Sequence, residues 1–164
     1  MSIANVVEQL ELNHVGMGIR KVAQIVKYSD FTDTGADTNG DLVLDKLIPA
    51  GSFVIGTKVT VKTGFTGDTT AVLAVGAAVD GDDWSGNGTI NVLAAARNLV
   101  ASAFLAADGG MQAISTAAYV YVTVTGGADF TSITAGEALV EVFYLSTNVE
   151  LKDDQPTEVS LNRS

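Results

Sequence analysis

Residues 53–63 read FVIGTKVTVKT, and their pattern decides the fold class. Val59 and Val61 alternate with Lys58, Thr60 and Lys62. A period of two puts the valines on one face of an extended strand and the polar residues on the other. The same period returns at residues 117–125, where Tyr119, Tyr121 and Thr123 alternate with Val120, Val122 and Val124. It returns again from Glu137 to Ser146, with Glu137, Leu139 and Glu141 opposed to Ala138, Val140 and Val142. Residues 69–76, TTAVLAVG, are β-branched and aliphatic, which suits a strand. Turn signals fall between these runs: Pro49 with Gly51, Gly67 with Asp68, Gly126 with Gly127, and Gly136. Strands separated by turns at such intervals point to an all-β sandwich or barrel. Residues 53–63 and 69–76, joined by the turn at 65–68, read as a hairpin.

The ends of the chain read differently. Residues 1–22 carry apolar positions at Ile3, Val6, Val7 and Leu10, a helical spacing that Gly16 and Gly18 interrupt. They read as an N-terminal arm. Residues 148–164 are polar and charged, contain Pro156 and read as a C-terminal arm. One domain is expected between them, at 23–147. Residues 31–41 read as a loop dense in Asp, Thr and Gly. Residues 94–107 leave two readings open: their alanines favour a helix, and their place among β segments favours a strand or loop.

The chain has 164 residues and 47% hydrophobic content, with a mean hydropathy of +0.30. That is apolar for one soluble domain, and it suggests burial against other subunits. No apolar run is long enough for a transmembrane helix, and the N-terminus lacks a secretory pattern. Net charge is −10, and the basic residues are scattered in sequence apart from Arg20 and Lys21. No basic patch suited to nucleic acid or to an anionic membrane is expected. With no cysteine, disulfides, thiol catalysis and Cys-based zinc sites are all absent.

Few residues suggest chemistry. The one histidine, His14, lies in the N-terminal arm, and no serine elbow accompanies it. Asp37, Asn39 and Asp41 have the ligand type of a calcium loop, but Leu42 and Ile48 stand where an EF-hand needs Gly and Glu. Asp80, Asp82 and Asp83 form a second such cluster, without a known spacing. These are calcium candidates only; no metal or other cofactor is expected. Glu137 and Glu141 share a strand face and read as a solvated face rather than an acid–base pair. Trp84 reads either as a sugar-stacking ring, with Tyr119 or Tyr121 beside it, or as an anchor in a loop or subunit contact.

Three stretches carry a family resemblance: LIPAGSFVIG at 47–56, TTAVLAVG at 69–76, and the loop of Asp80, Gly81, Asp82 and Asp83. With AYVYVTVTG at 118–126 and GEALVEVFYL at 136–145, they resemble the small jelly-roll virion proteins of tailed bacteriophages, chiefly capsid decoration (cement) proteins. The resemblance spans roughly 23–146. It implies a jelly-roll-like β-sandwich with extended arms and a homo-oligomer, a trimer in the usual case. It implies a non-enzymatic role on the outer surface of the capsid, bound to the major capsid protein, in a chain made in the host cytoplasm. Trp84, His14, Arg20 and Lys21 are the candidate contact residues. Another virion part (vertex knob, head fibre, neck or tail module) and a carbohydrate-binding module are the alternatives.

Overall fold

The computed structural model describes residues 18–33, 37–86, 89–101 and 113–146. Among them the chain forms nine strands: β1 (Gly18–Lys27), β2 (Thr32–Asp33), β3 (Asn39–Ile48), β4 (Phe53–Thr66), β5 (Ala71–Gly76), β6 (Ile90–Asn91), β7 (Ala96–Ala101), β8 (Ala118–Gly126) and β9 (Ala135–Ser146). Short 3-10 turns stand at Tyr28–Asp30, Asp83–Ser85 and Phe130–Ser132. The strands make two antiparallel sheets, ordered β1-β9-β4-β7 and β2-β3-β8-β5-β6. The pairs are nested: β1 with β9, β3 with β8, β4 with β7, and β5 with β6. That is the ladder of one long hairpin rolled over itself into two sheets.

Period two builds the core. Val22, Val26, Val54, Val59, Val61, Val140 and Val142 point inward from the four-stranded sheet and are buried. Leu44, Ile48, Leu73, Val75, Val120, Val122 and Val124 meet them from the other sheet. Branched side chains interdigitate well at the spacing of packed sheets.

The rolled topology corrects the expected hairpin. β4 and β5 do not pair; β4 runs on to Thr66, and the chain then crosses from one sheet to the other. Gly67 takes a φ of 115° in this crossing. The Asp68 carboxylate accepts hydrogen bonds from the backbone N–H groups of Thr69, Gly127 and Ala128. It therefore ties the β4–β5 crossing to the β8–β9 crossing, where a hairpin turn would have tied only its own strands.

Other boundaries also move. β1 begins at Gly18, so residues 18–22 belong to the sandwich rather than to an arm, held by the register from Gly18 opposite Ser146 to Lys27 opposite Glu137. Of the stretch 94–107, residues 96–101 form β7, because β4 offers them a partner edge. Asn39 and Asp41 lie in β3 rather than in a loop, paired opposite Thr125 and Thr123. The two arms fall on residues mostly outside those described.

Three phenylalanines close the end of the sandwich where these crossings lie. Phe31 meets Phe65 edge to face at 6.1 Å, and Phe130 at 6.0 Å. Gly136, with φ at 154°, lets the backbone of β9 pass against the Phe65 ring, where a Cβ would collide.

Val61→Asp sets a carboxylate between the sheets with no partner. It is expected to cost at least about 3 kcal/mol, read as a lower urea midpoint at unchanged slope. A melt equal to wild type would mean that β4 does not present Val61 to the core.

Candidate functional site

The outer face of the four-stranded sheet is where charge and exposed apolar surface gather. Antiparallel register sets Lys21 opposite Phe143, Ile25 opposite Leu139, and Lys27 opposite Glu137. On the other flank, Lys58 stands between Glu141 and Leu99, and Thr60 between Leu139 and Arg97. At the centre, Lys21 Nζ donates to Glu141 Oε1 at 2.7 Å and Lys58 Nζ to Oε2 at 2.8 Å. The two lysine stems cover Glu141, leaving it 4% exposed. Lys62 donates to Glu137 at 2.7 Å. Hydrogen bonds from Lys21 and Lys58 hold the Glu141 carboxyl below its ordinary pKa, outweighing the effect of burial. The hydrogen bond from Lys62, with the charges of Lys62 and Lys27, lowers Glu137 likewise. The shared face read from the sequence is therefore real, but at Glu141 it is covered rather than solvated.

The basic residues are scattered only in the linear text. Arg20, Lys21, Lys27, Lys58, Lys62 and Arg97, six of the nine in the chain, all lie on this sheet, and all but Arg20, which shares the parity of buried Val22, are on its outer face. Its only acids are Glu137 and Glu141. Among the described residues, Lys27 and Arg97 form no ion pair. Between these cations the face is apolar. Ile19 is 70% exposed and Leu99 76%, Ile25 is exposed, and Leu139, Phe143 and Leu145 are half-buried. A shallow groove of about 640 Å³ runs past Ile25, Thr60, Lys62, Arg97, Glu137 and Leu139.

The two acidic clusters meet on the other sheet. Asn39 Nδ2 donates to Asp80 Oδ1 at 2.8 Å. The Thr123 hydroxyl donates to Asp41 Oδ1 at 2.6 Å and accepts from the Asp80 backbone N–H at 3.2 Å. Asp80 takes a φ of 58° to reach this position. Thr123 thus joins Asp41 to Asp80, a link that the sequence does not display. Asp37 accepts from the Thr38 backbone N–H, and the Thr38 hydroxyl lies within hydrogen-bond distance of both Asp37 Oδ1 and Asn39 Oδ1. Asp82 and Asp83 lead into the 3-10 turn that carries Trp84. Among the described residues no three acidic or histidine side chains converge as a metal would need.

Trp84 is 0% exposed. The turn at Asp83–Ser85 drops it between the sheets, where Thr57 Oγ1 donates to its carbonyl at 2.8 Å. Ser85 Oγ accepts from the Val75 N–H and donates to the Asp82 carbonyl, which pins the turn. The ring has no face for a sugar or for a neighbouring subunit, so both surface readings of Trp84 are corrected. Tyr119 is exposed on the outer face of β8, opposite Leu47. Arg20 and Lys21 lie in β1, Arg20 exposed near its start and Lys21 engaged by Glu141. His14 lies outside the described residues.

Trp84→Ala is expected to cost about 3–5 kcal/mol by leaving a large cavity. Trp84→Phe should cost much less, since the indole N–H has no acceptor among the described residues. Equal thermal midpoints for the alanine variant and wild type would mean a surface ring.

Glu141 yields a pH prediction. Its folded pKa lies below the ordinary 4.5. Its contribution is therefore complete above that value and is lost as pH falls through the folded pKa. Glu141→Gln should lower the midpoint at neutral pH and flatten the acid limb of a stability–pH curve. A variant curve parallel to wild type below pH 4.5 would show that the lysine contacts do not stabilise the fold.

No protein-family model matches the chain, and no curated protein does. Solved structures do. The chain is similar to one in the cyanophage Pam1 capsid asymmetric unit, with a TM-score of 0.51 and 16% identity, over 79% of this chain and 86% of that one. It also aligns with a chain of the acid-stable capsid of the Helicobacter pylori bacteriophage KHP30, with a TM-score of 0.46 and 16% identity, over 80% and 95%. At this identity the likeness is one of fold.

Proposed function

We propose that this chain is a structural subunit of a bacteriophage particle, and that it decorates the outer surface of the capsid. The observation that carries the reading is the fold likeness to a chain of the Pam1 capsid asymmetric unit. The alignment takes in most of both chains, so the likeness is to a subunit of comparable size rather than to a module of a larger one. The sequence resemblance to phage decoration proteins supports the same reading independently. The carbohydrate-binding alternative loses its main support with the burial of Trp84.

In this reading the major capsid protein is the partner, the chain is a homotrimer, and the clamp works by mass action. A protein that binds only the assembled shell stabilises that shell. Residues 1–17 and 147–164 join the sandwich side by side, since Gly18 pairs with Ser146. They would serve as arms reaching neighbouring subunits.

Copy number tests the proposal. Quantitative mass spectrometry of purified particles is expected to give hundreds of copies, in a simple ratio to the major capsid protein. About a dozen or fewer would move the chain to a vertex, neck or tail, and absence would overturn the virion reading. Removal of residues 1–17 or 147–164 should leave the melt near wild type while weakening binding to particles that lack the chain. Binding at full strength would remove the arms from the mechanism.

A further inference from the structure

We infer that the outer face of the β1-β9-β4-β7 sheet is the docking face, and that its occupant is an acidic, partly apolar surface on a different virion protein. The inference rests on the virion reading above and adds to it the surface used and the chemistry of the partner.

The argument is charge complementarity. In a chain of net charge −10, five of the nine basic residues, Lys21, Lys27, Lys58, Lys62 and Arg97, share one sheet face. The two carboxylates there are already engaged by lysines, so the face carries excess positive charge. On this face Lys27 and Arg97 are the cations without an ion pair among the described residues, and they flank exposed Ile25 and Leu99. A partner that covers this face gains apolar burial at Ile25, Leu99 and Leu139, and gains ion pairs with Lys27 and Arg97 where the surrounding surface excludes water.

Two other occupants fit less well. A second copy docked by the same face would set two surfaces of excess positive charge against each other, and like charges at an interface are costly. Nucleic acid would meet exposed isoleucine and leucine between too few free cations to displace many counterions.

The chain has no cysteine, so one introduced thiol is a unique label. Leu99→Cys carries a photo-reactive maleimide on the docking face, and Tyr119→Cys carries it on the opposite sheet. Each full-length variant is incorporated into particles, irradiated and mapped by mass spectrometry. The expected result is that the Leu99 probe joins an Asp- or Glu-rich surface of another virion protein and the Tyr119 probe does not. Joining to a second copy, to residues 1–17 or 147–164 of this chain, or to nucleic acid would overturn the inference while leaving the virion reading intact. Absence of both variants and of wild type from particles would overturn the virion reading itself. As a second measurement, Lys27→Glu with Arg97→Glu should lower affinity for particles lacking the chain by at least about tenfold. The wild-type affinity should fall as NaCl is raised. Wild-type affinity in the double variant, with Tyr119→Ala weakened instead, would place docking on the other sheet.

Discussion

The sandwich depends on how it is closed where the chain changes sheets. Every crossing exposes the gap between the sheets, and a gap open to water would wet the valine core. At this end three crossings each contribute one phenylalanine. Phe31 comes from the β1–β3 connection, Phe65 from the end of strand β4 where the chain leaves for β5, and Phe130 from the β8–β9 connection. The rings pack edge to face and tilted at about 6 Å, a geometry that aromatic rings favour over a stacked sandwich. Glycines make this possible by subtraction. Gly40 leaves the space that the Phe130 ring occupies, and Gly136 leaves the space for Phe65. Asp68 then fastens two of the crossings from outside, through backbone N–H groups rather than side chains, and those hydrogen bonds keep its carboxyl below the usual range.

Periodicity revealed most of the strands and none of their partners. Val59 with Val61, Val120 to Val124, and Val140 with Val142 announce inward faces because alternation is a local property. Sheet membership is not local. The turn residues at 65–68 suit a hairpin and a sheet-to-sheet crossing equally, and only the long-range pairing of β4 with β7 and β9 decides between them. Residues 96–101 were ambiguous for the same reason. Their alanines express an intrinsic helical preference that a free strand edge overrides.

The candidate face was less legible than the fold. Lys21, Lys58 and Arg97 are far apart in the text, and antiparallel register gathers them on one face. One signal pointed there: Glu137 and Glu141 share a parity with Leu139, so β9 presents acid and aliphatic side chains on one face. Period two alone cannot say that Lys21 and Lys58 would roof the second glutamate. Trp84 shows the opposite failure. A tryptophan between aspartates and glycines looks like a surface ring. The 3-10 turn reverses that, because Ser85 and Thr57 satisfy the backbone around it and allow the ring to fill the core.

These two outcomes share one consequence for function. With Trp84 inside, most of the exposed large hydrophobic side chains lie on the sheet faces, and the two faces differ in charge. The five-stranded sheet presents Asp41 and Asp80 linked through Thr123, with Tyr119 and Leu47 further along. The four-stranded sheet presents lysine and arginine around aliphatic side chains. Such a molecule carries a charge asymmetry across its thickness, and an acidic partner would orient it before contact. On its cationic face Glu141 keeps Lys21 and Lys58 extended over the centre of the sheet, so part of the order that docking by this face would require is already built into the fold.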